Sequence, residues 1–206
     1  MGAYVVAITG ASGAVYGLRL VEELLNNGES VDLIISPAGE IILSEEYGLK
    51  AGTPGKAVRE VASEYLAVKV KAGVGRLKTY PHDDLLSPVA SGSALKRVMI
   101  ICPCSMGTLG RIAAGVSQNL IDRSADCVLK EAGQLILVPR ETPFNRIHLE
   151  NMLKVESAGA KIVPAMPAFY TKPASVDDMV NFMVGKVLDL LGIKNDLYKR
   201  WDGKKE

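Results

Sequence analysis

Five short apolar runs punctuate the chain: Tyr4 to Ile8, Val31 to Ile35, Val98 to Cys102, Leu135 to Val138 and Lys161 to Val163. Each is followed within two residues by Gly, Ser or Pro, and their hydrophobicity is mostly continuous rather than alternating. That is the pattern of strands covered on both faces, as in a parallel sheet. Stretches with helical spacing lie between and after them: Gly13 to Asn27, Glu40 to Gly48, Ala57 to Leu66, Leu120 to Glu131 and Ile147 to Ala158. The clearest comes last, where Val176, Met179, Val180, Met183, Val187, Leu190 and Leu191 form one apolar stripe between a Ser175 N-cap and a Gly192 stop. Alternating strands and helices predict a single α/β domain, a doubly wound parallel sheet with right-handed crossovers. The region from about Ala72 to Lys96, with "YPHDDLLSPVASGS", reads as one long irregular loop of the kind that is functional or mobile.

Composition narrows the possible roles. A chain of 206 residues, 48% hydrophobic and 23% charged, can bury a sizeable core as one soluble domain. Lys and Arg number 24 against 23 Asp and Glu, without a long basic run, so the charge provides no footprint for nucleic acid. No signal-peptide pattern and no apolar run near the ~20 residues of a membrane span are present, and the expectation is a cytoplasmic protein. Cys102, Cys104 and Cys127 lack the second ligand pair of a zinc site, and Asp83 with Asp84 lacks further ligands, so no metal is expected. His82 and His148 stand apart from any nucleophile and read as structural. Trp201, the only tryptophan, sits on a polar tail from Asn195 to Glu206 that is expected to dock on a neighbouring subunit.

In an open parallel sheet, ligands bind beyond the carboxyl ends of the strands, which directs attention to the residues after each run. The first is followed by Thr9-Gly10-Ala11-Ser12-Gly13, a turn that brings backbone amides to a helix start and suits a phosphate as well as it suits a plain structural turn. Next come Ser36-Pro37 with Glu45 and Glu46 further on, "PCSMGTLG" with Ser105 and Thr108 opening a helix, "PRETPFNR" with Arg140 beside Glu141, and "PAMPAFY" ending at Tyr170. Hydroxyl, glycine or arginine groups in four of five loops point to a phosphorylated or polar-edged ligand. Arg123 and Lys130, seven apart, share one helix face, where solvation is the ordinary explanation.

Taken together, "TGASGAVYGLRL", "SPVASGS", "CPCSMGTLGRIAAGVSQNLIDRSADCVLKE", "LVPRETPFNRIHLENMLK" and "PAMPAFY" closely resemble the UbiX/Pad family of flavin prenyltransferases, in family order from Val5 through Trp201. The resemblance implies a Rossmann-like, flavodoxin-type FMN-binding domain assembled into homo-oligomers, typically dodecamers. It implies transfer of the dimethylallyl group of dimethylallyl monophosphate to N5 and C6 of reduced FMN, without a metal. The prenylated FMN so made serves UbiD-type decarboxylases. By the same resemblance, Gly10, Ala11, Ser12, Ser36, Ser105, Met106, Gly107, Thr108 and Arg140 contact FMN. Tyr170, Lys186, Arg123 and Lys130 hold the prenyl donor's phosphate, and Ser12, Glu46, Glu141, Lys130 and Arg123 make up the catalytic set.

Two positions depart from the family pattern. Some members carry a tryptophan where this chain has Leu85 or Leu86, and some carry arginine in place of Lys186, a planar fork instead of a point charge. Three other readings compete, one of them an aromatic acid decarboxylase that acts without a partner. An FMN-dependent cysteine decarboxylase would show an early histidine and a "PAMN" stretch, whereas no histidine precedes His82 and the corresponding place reads "PRETPF". A non-catalytic flavin carrier would tolerate loss of Arg123, Lys130 and Lys186.

Overall fold

The computed structural model describes residues 3–50, 57–71, 74–93, 98–201 and 203. Parts of two regions singled out above, residues 72, 73 and 94–96 of the long loop and 202 and 204–206 of the tail, lie outside the described residues. In chain order the strands are β1 (Ala3–Ile8), β2 (Ser30–Ile35), β3 (Arg76–Tyr80), β4 (Val98–Cys104), β5 (Gln134–Pro139) and β6 (Lys161–Ile162). The helices are α1 (Ala14–Asn26), α2 (Pro37–Tyr47), α3 (Val58–Lys69), α4 (Met106–Ala113), α5 (Leu120–Lys130), α6 (Arg146–Ser157) and α7 (Val176–Leu190), with a 3-10 turn at Pro88–Ala90.

The strands form one six-stranded, wholly parallel sheet in the order β3-β2-β1-β4-β5-β6. This is the Rossmann order, with its reversal between β1 and β4; the flavodoxin order is 2-1-3-4-5. Continuous hydrophobicity is explained by burial on both faces. Val6, Ile8, Leu33, Ile35, Ile100 and Val138 pack against α1, α3 and α7, whereas Val5, Ala7, Ile34, Met99, Ile101 and Leu137 pack against α4, α5, α6 and the 3-10 turn. α1 lies close on the sheet at Gly17, where a Cβ would strike the Cys102 carbonyl oxygen and Ile8.

One expectation is corrected. The region read as irregular contains β3, which pairs with β2 from Ser30↔Arg76 to Ile34↔Tyr80. The segment "RLKTY" is an edge strand that alternates between exposed and covered positions, so it lacks the continuous apolar signature of the inner strands. The three cysteines are free and buried, and burial pushes the thiols of Cys102 and Cys104 up, Cys104 to about 12. Among the described residues, no helix is long and apolar enough to cross a membrane.

The tail folds back on its own chain. Asp189 of α7 accepts hydrogen bonds from Tyr198 Oη at 2.6 Å, Arg200 Nη2 at 2.7 Å, Arg200 Nη1 at 2.9 Å and Asn195 Nδ2 at 2.9 Å. From there a ladder of edge-on rings runs through Tyr198, Phe182 and Tyr170 to Trp201, with centroids 5.0 to 6.0 Å apart. Trp201 remains 66% exposed, so a face of the ring is left for any further partner.

Candidate functional site

The reversal between β1 and β4 sends their following loops apart, and the gap between them is where this fold class builds its sites. The helices that follow β1, β2 and β4, namely α1, α2 and α4, start beside this gap. Thr9, fully buried, ties the two strand ends together: its hydroxyl donates to the Pro103 carbonyl at 2.8 Å and accepts from the Ser105 amide at 2.8 Å. Ser36 joins them through its amide, which donates to the Ile8 carbonyl at 3.0 Å, and Gly10 abuts Ala38 at the start of α2. From the β5 side, Arg140 Nε donates to the Ser12 carbonyl at 3.0 Å.

Each helix start is capped differently. Ser36 Oγ accepts from the Gly39 amide at 3.0 Å, and Ser105 Oγ from the Thr108 amide at 3.3 Å. The N-cap of α1 is Gly13, at φ 102°, a left-handed conformation that suits glycine and leaves no side chain to cap the helix. Glu46, near the end of α2, fills that role. Its Oε1 accepts from Gly13 N at 2.9 Å, and its Oε2 from Gly13 N at 3.1 Å and Ala14 N at 2.9 Å. A carboxylate at a helix N-terminus is also favoured by the helix dipole. A phosphate bound at this turn therefore competes with Glu46 for the same amides.

Most of the residues singled out in the sequence meet here. Gly10, Ala11, Ser12, Glu46, Ser36, Ser105, Met106, Gly107, Thr108 and Arg140 belong to adjoining turns linked by the contacts above. Glu141 follows Arg140 and its carboxylate accepts from the Thr142 amide at 3.0 Å. Tyr170, after β6, rests on Phe182 of α7 with ring centroids 6.0 Å apart. Lys186 is exposed one turn further along the same helix.

The basic set does not converge within one chain. Arg123 and Lys130 lie on α5 and Lys186 on α7, and those helices cover opposite faces of the sheet. Lys130 ends an eleven-residue helix, about 16 Å long, and sits just before β5, at the amino edge of the sheet. It pairs with Glu131 at 3.0 Å beside Gly92, while Arg123 donates to the Ala90 carbonyl at 3.1 Å and pairs with Asp126 at 2.8 Å. Both basic groups thus face the "SPVASGS" segment, on the α5 side of the sheet. The His148 ring caps α6 through the Asn145 amide, and the main-chain carbonyl of His82 accepts from the Leu120 amide.

Sequence reasoning passed over one partly buried network behind Ser105. Arg111 of α4 pairs with Asp122 of α5 at 2.7 Å and also donates to Thr108 Oγ1 at 3.2 Å. Asn119 Nδ2 donates to the same Asp122 oxygen at 2.9 Å, and its own side-chain oxygen caps α5 at the Asp122 amide. The signals were present as Thr108 and Arg111 three apart on one helix, and as an Asn-x-x-Asp helix start.

The family model described as Flavoprotein matches residues 3–188. The chain is 48% identical over 200 residues to the flavin prenyltransferase UbiX of Halalkalibacterium halodurans, covering 97% of this chain and 93% of the relative. It is 47% identical over 197 residues to that of Methanocaldococcus jannaschii, covering 96% and 97%. Among solved structures, AnUbiX in complex with FMN and dimethylallyl pyrophosphate superposes with a TM-score of 0.84 at 36% identity, over 99% of both chains. A dodecameric FMN-dependent UbiX-like decarboxylase from Escherichia coli gives 0.83 at 36% identity, over 98% of this chain and 100% of that one. Similarity of this extent, over a Rossmann sheet whose matching turns converge at the β1/β4 reversal, places the chain in the Flavoprotein family and, within it, among the UbiX flavin prenyltransferases.

Proposed function

We propose that this chain joins the dimethylallyl group of dimethylallyl monophosphate to N5 and C6 of reduced FMN and releases phosphate. The observation that carries the reading is the near-complete match to named flavin prenyltransferases. The site supports it. Ser36 and Ser105 supply hydroxyls at two helix starts, Arg140 brings a cation to the Ser12 turn, and Glu46 and Glu141 supply carboxylates on either side of it. In this reading FMN lies between the β1 and β4 turns, held by Gly10, Ala11, Ser12, Ser36, Ser105 to Thr108 and Arg140.

In the reaction the allylic C–O bond of the donor breaks and its electron pair leaves with the phosphate; flavin N5 bonds to the freed allyl carbon and gives up its proton, and the second bond, to C6, forms as the allyl double bond takes up a proton and a base, the phosphate or a glutamate, removes the proton of C6. Fixed cations stabilise the charge that grows on that group, the work assigned to Arg123, Lys130 and Lys186. A carboxylic acid at Glu46 or Glu141 protonates the departing oxygen. Tyr170 lines the donor site and offers an electron-rich face to the allyl cation.

Because Arg123 and Lys130 stand apart from the Ser12 turn in their own chain, they complete the site of a neighbouring copy. A homo-oligomer of the kind seen in the dodecameric Escherichia coli relative brings such surfaces together. The product passes to a UbiD-type decarboxylase, and the supply of reduced flavin puts the reaction in the cytoplasm.

Anaerobic incubation with reduced FMN and dimethylallyl monophosphate, followed by mass analysis of the extracted flavin, is the test. The expected result is the gain of one five-carbon unit, lost in Glu141→Gln and in Lys130→Ala. Unchanged FMN would refute the activity. Co-assembled Ser12→Ala and Lys130→Ala chains are expected to regain turnover that neither has alone; no regain would refute the shared site.

A further inference from the structure

We infer that Arg111 is a positioning residue: acting through Thr108, it fixes the Ser105 hydroxyl as a hydrogen-bond donor toward the ligand. The argument is one of donors and acceptors. A guanidinium carries N–H donors and no acceptor. Arg111 Nε donates to Asp122 Oδ2 at 2.7 Å and Nη2 to Thr108 Oγ1 at 3.2 Å. Thr108 is buried, and its hydroxyl keeps one proton and one lone pair after accepting from Arg111; accepting from a cation polarises the O–H and makes Thr108 the stronger donor of the hydroxyl pair, so it donates to Ser105 Oγ at 3.0 Å. Ser105 Oγ also accepts the Thr108 amide at 3.3 Å. With both lone pairs engaged, the remaining proton of Ser105 points out of the network. Ser105 is the partly exposed member, at the mouth of the β4 turn beside Thr9.

Asp122 holds Arg111 at the head of this chain of donors. Its side chain is fully buried, shares one oxygen between Arg111 and Asn119, and leaves Oδ1 without a partner among the described residues. A buried carboxylate with a single cationic partner holds that partner firmly, because releasing it leaves an uncompensated charge. The chain of donors therefore runs one way: Arg111 to Thr108, Thr108 to Ser105, Ser105 outward. The ligand atom set against Ser105 is an acceptor, a carbonyl oxygen, an unprotonated ring nitrogen or a phosphate oxygen. This rests on the reading that Ser105 faces FMN and adds what that reading lacks, the residue that sets the polarity of the contact.

The test is titration of flavin-free protein with FMN, following the visible absorption of the bound flavin. Ser105→Ala and Arg111→Met are each expected to weaken FMN about three- to tenfold, the value of one hydrogen bond. The Ser105→Ala/Arg111→Met double variant is expected to bind no more weakly than Ser105→Ala, with the same absorption change. Arg111→Met leaves Asp122 unpaired, so Arg111→Met/Asp122→Leu, which removes both charges, serves as the second variant and is expected to show the same loss of affinity. Wild-type affinity in Arg111→Met/Asp122→Leu, or a full additional loss in the Ser105→Ala/Arg111→Met variant, would overturn the relay while leaving Ser105 on the flavin. Unchanged affinity in Ser105→Ala would overturn the placement of Ser105 itself and the relay with it.

Discussion

Replacing Asp189 by Asn isolates one structural claim, that a single carboxylate holds the tail against α7. Four donors converge on it, from Tyr198, both terminal nitrogens of Arg200, and Asn195. The hydrogen bonds from Arg200, opposed by partial desolvation, hold its carboxyl at about 2 against the usual 3.8, while burial and the Asp189 charge push Tyr198 up to about 12. Taken at face value that lowering of the carboxyl amounts to about 2 kcal/mol. Arg200 is 56% exposed, so solvent screening reduces the figure to about 1 kcal/mol. A change of that size shifts the ratio of docked to released tail about fivefold. Trp201 reports it directly, as the only tryptophan of the chain, packed edge-on against Tyr170 at 5.7 Å. Asp189→Asn is expected to red-shift the emission and increase acrylamide quenching without changing the helix content. In the wild type the folded-state pKa is depressed, so the contribution is whole above the unfolded value near 3.8 and fades as pH falls toward about 2. The emission is therefore expected to stay flat from neutral pH to about 4. Unaltered emission and quenching in a folded Asp189→Asn protein would refute the latch.

Two further perturbations address the site. Glu46→Gln removes the charge that caps α1 and is expected to lower stability by about 0.5 to 1 kcal/mol, a fall of a few degrees in Tm by calorimetry. An unchanged Tm would mean that the carboxylate contributes nothing as a cap. Thr9→Val strands the Ser105 amide in a buried position and is expected to cost about 1 to 3 kcal/mol and weaken FMN binding, whereas Thr9→Ser keeps both bonds and both properties. Denaturant titration with and without FMN separates these outcomes, and equal behaviour of Val and Ser would disprove the role of the hydroxyl.

The inner strands, the long helices and most of the β1, β2, β4 and β5 turns were legible in the sequence because they follow from local rules. A strand covered on both faces must be apolar throughout, as Val98 to Cys102 is, and a helix on a sheet must carry a stripe, as α7 does. A cap can announce itself by residue type, as Ser175 does, whereas the Ser36 cap was not read and α2 starts at Pro37, three residues before the expected Glu40. Edge strand β3 stayed hidden because an edge strand is exposed along one side, and its Arg76, Lys78 and Thr79 read as loop. The positions of the basic residues were beyond local reading. The family resemblance groups Arg123, Lys130 and Lys186 as one set, and only the sheet, by separating α5 from α7, shows them on opposite faces of a single chain.

The sequence by itself determined the class of fold and the turns that follow the inner strands, since apolar periodicity and turn chemistry act over a few residues and leave their mark in order. Tertiary structure alone decided which partners those groups meet: Glu46 on the amides of α1, Arg111 on Asp122 and Thr108, Asp189 on a tail that returns from the far end of its helix. Each of these contacts joins residues from separate elements or different turns, and its geometry is set by the packing of whole helices on the sheet, a quantity that no window of sequence contains.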